Sequence, residues 1–221
     1  MWFDKKRDRN NISPIIVDKN EKERQIAEAA LNIFAARGYS ATSMRDIAGA
    51  AGLAKSTLYE YFATKADIFL AALKLWVEML EQRMAVLMAE AADPVAKLYT
   101  VTQMAVMICD RQEPTLNQLY IVAYEQGIMP GGALSRLKGV GPRISSGILK
   151  KLTGVLLEGV AKGAFRPEIA VNVDEIALNM MACVDGILFH NLLSEFNLDV
   201  TWHANYYIDN LVAAIACHPG Q

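Results

Sequence analysis

Lys55, Ser56, Thr57 and Tyr59 fall in one short run, at the start of a segment whose apolar residues repeat at helical spacing. Their types suit nucleic-acid recognition. A lysine ammonium donates to guanine O6 and N7, hydroxyls serve any base, and a threonine methyl meets the thymine methyl. The first turn of a helix also offers free N–H groups and the positive end of its dipole, both of which favour phosphate. Tyr59 lies one turn beyond Lys55, where its hydroxyl can reach phosphate, and Tyr61 shares the outer face. Lys65 stands in the first turn of the following helix as a second candidate phosphate clamp. Ser43, Met44 and Arg45 open the preceding helix and complete the candidate DNA-binding set. Singly, each of these is an ordinary solvated residue; the shared face and spacing carry the reading.

Two short helices must position that face. Ser43 is a good N-cap, and Asp46 three residues on forms a capping box with Asp in place of Glu. Met44, Ile47, Ala48 and Ala51 share one helical face. Gly52 sits where a helix ends in a left-handed residue, and Leu53 plugs the turn. In the second helix, Lys55 to about Phe62, Leu58 and Phe62 point inward. The pattern predicts a helix-turn-helix whose second helix enters the major groove. Thr64, with Asp67 three residues on, caps the next helix.

The runs I-A-E-A-A-L-N-I-F-A-A-R-G-Y-S-A-T-S-M-R-D-I-A, A-G-L-A-K-S-T-L-Y-E-Y-F and K-A-D-I-F, from about Glu23 to Leu73, resemble the DNA-binding domain of the TetR family of bacterial transcriptional regulators. The match is specific in order, spacing and helix length over roughly fifty residues; the remaining two thirds match in layout only. The resemblance implies an all-helical homodimer that binds an operator and is usually released when a small molecule fills the second domain. Ala54 departs from it, standing where the family often has Ser or Thr to cap the recognition helix.

The composition bounds the rest. The chain has 221 residues, 53% of them hydrophobic, enough for a sizeable core. Net charge is only −2, but residues 1–75 carry twelve Lys/Arg against nine Asp/Glu, while residues 76–221 carry ten against fifteen. The basic part holds the helix-turn-helix, as an electrostatic footprint should. Cys109, Cys183 and Cys217 are too widely spaced for a disulfide framework or a zinc site and read as core thiols of a reducing cytoplasm. The charged start M-W-F-D-K-K-R-D-R predicts no signal peptide, and no apolar run is long enough for a membrane span.

The fold expected is all-α, with about nine helices. Residues 1–18 read as a flexible basic arm (Lys5, Lys6, Arg7 and Arg9, diluted by Asp4 and Asp8), either a solvated tail or a DNA contact. Residues 19–65 form a three-helix DNA-binding domain, and residues 66–221 a ligand-binding and dimerisation domain. The fourth helix, from Thr64 to about Ala91, is apolar over so much of its circumference that it must touch more than one partner, which makes it the connecting rod. Further helices are expected from Asp93-Pro94 to about Asp110 and from Glu113-Pro114 to about Gln126. A longer one should run from Leu134 to Lys162 with a kink at Pro142. The last two, Val173–Phe196 and Thr201–Cys217, are too apolar to stand uncovered. By resemblance they pair with those of a second subunit, which would set two recognition helices about 34 Å apart to read a palindrome.

In the second domain Trp76, Tyr99, Met104, Met107, Tyr120, Tyr124, Met180, Met181 and Phe189 lie on helices that can surround a cavity. Thioethers and aromatic rings suit an apolar or aromatic ligand, although each residue would serve equally as core. Few buried charges are expected beyond Asp185, Arg83 and Glu125, which favours a neutral ligand. No cofactor is implied. Cys183, Asp185 and His190 form the best catalytic constellation, but Asp185 and His190 are five apart and do not stack on one face. No nucleophile elbow, P-loop, zincin or dinucleotide motif occurs in its required context. A regulator is therefore expected rather than an enzyme, most simply a repressor. The rivals are an activator, or a ligand-binding scaffold whose helix-turn-helix no longer binds DNA.

Overall fold

The computed structural model describes residues 18–108, 114–128, 132, 140–193 and 198–217. Nine α-helices and one 3-10 turn follow one another along these residues. They are α1 (Lys19–Arg37), α2 (Met44–Ala50), α3 (Lys55–Tyr61), α4 (Lys65–Glu90), α5 (Pro94–Ile108), α6 (Pro114–Ile128), α7 (Val140–Ala161), the 3-10 turn Pro167–Asn172, α8 (Val173–Leu193) and α9 (Val200–Ile215). The expected arm, residues 1–17, and Cys109 lie outside the described residues.

Local chemistry sets the boundaries. Asp18 caps α1 by accepting from Asn20 N, and Gly38 ends the helix at φ 75°. Asp93 Oδ1 accepts from Ala96 N at 2.8 Å, and Pro94 takes the first position of α5, where its missing N–H is not needed. Pro114 opens α6 in the same way.

Helix α7 is described from Val140 onward and contains Pro142; the expected start at Leu134 lies outside the described residues. The hydrophobic period gave no sign of the 3-10 turn at Pro167–Asn172, six residues too few to show one.

Two interiors result. Around the helix-turn-helix, Ile26, Ala30 and Phe34 of α1 pack with Ile47, Ala48, Leu58 and Phe62, and also with Ile68, Phe69 and Ala72 of α4 and Val122 of α6. The helix-turn-helix unit thus shares its core with the helices that follow residue 65. The second interior joins α5, α7, α8 and α9 through Leu98, Val101, Leu152, Leu156, Phe165, Ala177, Met180 and Ile208.

Between the two, Trp76 and Leu73 of α4 pack with Ala35 of α1 and Leu119 of α6. Helix α4 is also tied outward at two points. Glu78 pairs with Arg24 of α1 at 4.0 Å, and Glu81 with Lys151 of α7 at 3.0 Å. This is the connecting rod that its wide apolar surface implied.

A close approach fastens the far end. Gly159 of α7 lets the buried Phe165 ring lie against the helix backbone, where a β-carbon would stand 2.0 Å from Phe165 Cδ2. Phe165 forms an isolated antiparallel bridge with Ala216, and Arg166 N donates to Ile215 O at 2.8 Å, so the turn after α7 is stitched to the end of α9.

Candidate nucleic-acid interface

The helix-turn-helix is built by its caps and its turn. Ser43 N and Oγ donate to Asp46 Oδ2 at 2.8 and 2.5 Å, and Asp46 N donates back to Ser43 Oγ at 3.2 Å. These bonds from Ser43, aided by the nearby Arg37 and Arg45 guanidinium groups, hold the Asp46 carboxyl below its ordinary pKa. Gly52 makes the turn at φ 65°, and Leu53 N donates to Ala48 O at 2.8 Å. Leu58 is fully buried beneath the second helix. Helix α3 therefore leaves its outer face uncovered.

Lys55, Ser56 and Tyr59 are exposed on that face, and Thr57 and Tyr61 are half-buried. Lys55 Nζ lies 5.8 Å from the centroid of the Tyr59 ring one turn on, a loose cation–π pairing that orders two candidate DNA contacts together. Ala54 has extended backbone at the N-cap position but offers no side-chain bond, so the first N–H groups of α3 point outward with no cap. Arg45 is exposed and Met44 half-buried against the core of this unit.

Two members of the set have structural duties, one expected from the sequence and one not. Ser43 spends its hydroxyl on the capping box. Lys65 Nζ donates to Tyr39 O and Thr42 O, both at 2.8 Å, and sits 4.2 Å from the centroid of the Tyr39 ring. Burial lowers its pKa. Two of its three donors thus tie off the loop after α1, leaving one for any phosphate. The Tyr39 ring packs against Phe34 and Phe69 at 5.7 and 5.1 Å. Thr42, buried and donating to Gly38 O at 2.7 Å, completes that loop.

Among the described residues the nine candidate ligand residues fall into different parts of the interior. Met180 is buried in the α5–α7–α8–α9 interior, with Met181 and Tyr99 packed against it. Tyr99 turns toward α9, its hydroxyl donating to Asp209, and the bond pushes its pKa up to about 12. Met104 is buried and Met107 half-buried on α5. Trp76 and Tyr120 belong to the α1–α4–α6 junction. Tyr124 and Phe189 are more than a third exposed and meet at 5.9 Å.

Arg83 and Glu125, expected to be buried, are exposed; Asp185 has an exposed side, but its surroundings desolvate the carboxyl enough to raise its pKa. Sequence reasoning also passed over Asn117 and Asn205, whose side-chain oxygens are buried without a hydrogen-bond partner. A polar residue near an apolar stripe gives no signal of that kind.

A separate cavity of about 390 Å³ lies between α8 and α9, lined by Cys183, Gly186, Ile187, His190, Leu198 and His203. Burial raises the Cys183 thiol pKa, which keeps it protonated and weakens it as a nucleophile. No group of three or more metal-ligating side chains occurs among the described residues, and no described helix is long and apolar enough to cross a membrane.

Comparison with known proteins agrees with this architecture. Residues 26–72 match the family model described as bacterial regulatory proteins, tetR family. The HTH-type transcriptional repressor KstR2 of Mycobacterium tuberculosis is 25% identical over 154 residues, covering 70% of this chain and 74% of that one. The fatty acid metabolism regulator protein of Bacillus subtilis is 26% identical over 198 residues, covering 89% and 97%. A transcriptional regulator structure from Saccharomonospora viridis, solved with choline, shares the fold at a TM-score of 0.71 and 21% identity, over 90% of this chain and all of that one. With its capped helix-turn-helix, its all-helical body and these relatives, the chain is similar to the TetR family of DNA-binding transcriptional regulators, whose family model its residues 26–72 match.

Proposed function

We propose that the chain is a cytoplasmic, homodimeric repressor that binds a palindromic operator and is released from it by a small, largely apolar or aromatic ligand. The observation that carries this reading is the outer face of α3. It offers Lys55, Ser56 and Tyr59 to solvent, while Leu58 behind them is locked into the core. A vestigial domain would have no reason to keep an ammonium and hydroxyls on the face a groove receives. Repression is favoured by relatives named as repressors, and an apolar ligand by a relative named for fatty acid metabolism.

The dimer is supported by what α8 and α9 leave uncovered. Leu178, Phe189, Trp202 and Tyr206 are exposed, the last two stacked at 5.2 Å. Apolar groups of that size on two adjacent helices suit a second copy of the same surface. In this reading a DNA-reading unit up to about Thr64 precedes a ligand-binding and dimerising one, with α4 joining them through the shared core. A ligand that prefers one setting of α4 shifts the separation of the two recognition helices, and only such a difference in affinity moves the equilibrium.

The test is selection of bound DNA from a random pool by the purified dimer at two salt concentrations. Recovery of a palindrome, held more weakly at the higher salt, is the expected result. A folded dimer that enriches no sequence would overturn the operator reading and bring forward the scaffold with a silent helix-turn-helix.

A further inference from the structure

The outer face of α3 has a ridge and two flanks. A helix turns by about 100° per residue, so Ser56 and Glu60, two residues on either side of the buried Leu58, each lie within about 20° of the point opposite it. Lys55 and Tyr59 stand to one side of that ridge and Thr57 to the other. Ser56 and Glu60 are both exposed, and at four residues apart they lie one turn above the other. The ridge of a recognition helix comes nearest the floor of the groove, where the base edges are, while its flanks face the phosphates of the walls.

A carboxylate on the ridge opposes simple attraction to DNA. Between Ser43 and Asp67 the chain has three acidic residues, Asp46, Glu60 and Asp67. Asp46 and Asp67 are both engaged in capping boxes, accepting from Ser43 and from Thr64. Glu60 has no such duty: among the described residues its carboxylate has no hydrogen-bond or ion-pair partner. An unpaired negative charge between phosphates weakens binding to every sequence unless a base donates to it.

Few base edges can do so. Cytosine presents its N4 amino group in the major groove, and a glutamate accepts from it. Guanine O6 and N7 and thymine O4 are acceptors and repel a carboxylate. Adenine has an N6 amino group, but the N7 acceptor beside it faces the second carboxylate oxygen. The flanking residues do not supply this selection, because a lysine favours guanine and hydroxyls serve any base.

We infer that Glu60 is a specificity-determining residue, accepting from the N4 amino group of one cytosine in each half-site and excluding guanine and thymine there by its charge. The inference rests on the operator reading and adds one base to that operator.

The test is parallel selection of bound DNA from one random pool by the full chain as wild type, as Glu60→Gln and as Glu60→Ala. Both changes fall on an exposed side chain, outside the caps and the core. The wild-type half-site is expected to hold one cytosine that is preferred over other bases by about 5- to 150-fold in affinity. Glutamine is bidentate to adenine N6 and N7, so Glu60→Gln should exchange that cytosine for adenine and leave the other positions unchanged. Glu60→Ala should leave the position with no preference. The same half-site enriched by all three proteins overturns the inference. So do variants that bind every sequence more tightly with no position altered, since Glu60 is then a general brake on DNA binding and reads no base. In both cases the wild-type palindrome remains and the operator reading survives. A wild type that enriches no sequence removes both.

Discussion

Replacing Gly159 with alanine adds one methyl group to α7, 2.0 Å from Cδ2 and 2.2 Å from Cε2 of Phe165. Carbon atoms in contact sit about 3.5–4 Å apart, so the ring would have to move by about 1.5 Å or more. It has little freedom to do so. Phe165 is fully buried, its N–H donates to Gly159 O at 3.2 Å, and its backbone pairs with Ala216. Overpacking of this kind costs about 1–3 kcal/mol, and the overlap here places it toward the upper end. Alanine's better helix propensity returns about 1 kcal/mol, for a net loss of about 1–2 kcal/mol.

The same substitution at Gly154, five residues earlier, meets nothing: the position is exposed and open around its β-carbon. Gly154→Ala should therefore stabilise by about 0.5–1 kcal/mol. Urea denaturation followed by circular dichroism, at one fixed protomer concentration because a dimer's stability depends on it, should separate the two variants by about 1.5–3 kcal/mol. A Gly159→Ala protein as stable as Gly154→Ala would refute the packing argument.

Ala54 already has N-cap backbone geometry, so Ala54→Ser should stabilise the protein by about 0.5–2 kcal/mol, read as a raised urea midpoint. Lys65→Met keeps the stem but removes the donor to Thr42 O and leaves Tyr39 O with the longer 3.3 Å bond from Thr42 N. It should lower the midpoint by about 1–3 kcal/mol in the absence of DNA, and a variant of unchanged stability would return Lys65 to the phosphate role alone. The Asp46 carboxyl is held below its ordinary pKa, so its contribution is full above the unfolded value and is lost as pH falls through the folded one. Ser43→Ala should remove that part of the acid sensitivity, seen as a smaller loss of stability between neutral pH and about pH 3 than in the wild type.

The helix-turn-helix was legible because each of its boundaries rests on a local device. Ser43 with Asp46, Thr64 with Asp67, Gly38 and Gly52 each act within a few residues of chain, and local chemistry survives into the fold. Lys65 was read as a clamp because its partners, two backbone carbonyls more than twenty residues earlier, leave no mark on the sequence. The ligand residues were scattered for a similar reason. Met180 and Trp76 have the same apolar character, but α5 and α6 turn them into different interiors. No composition rule reports that a buried Trp76 N–H lacks an acceptor.

Glu78 and Glu81 stand three residues apart on α4, one gripping Arg24 on the DNA side and the other gripping Lys151 on the ligand side. Both pairs are largely exposed, so added salt weakens them over the same range, near 0.1 M, in which the Debye length falls to about 10 Å. Ionic strength therefore acts on this molecule twice, at the phosphates and at the coupling between its halves. A salt titration of operator affinity should consequently bend. Its slope at low salt counts phosphate contacts, while at higher salt the two ion pairs weaken as well and leave α4 held against its neighbours by apolar packing alone.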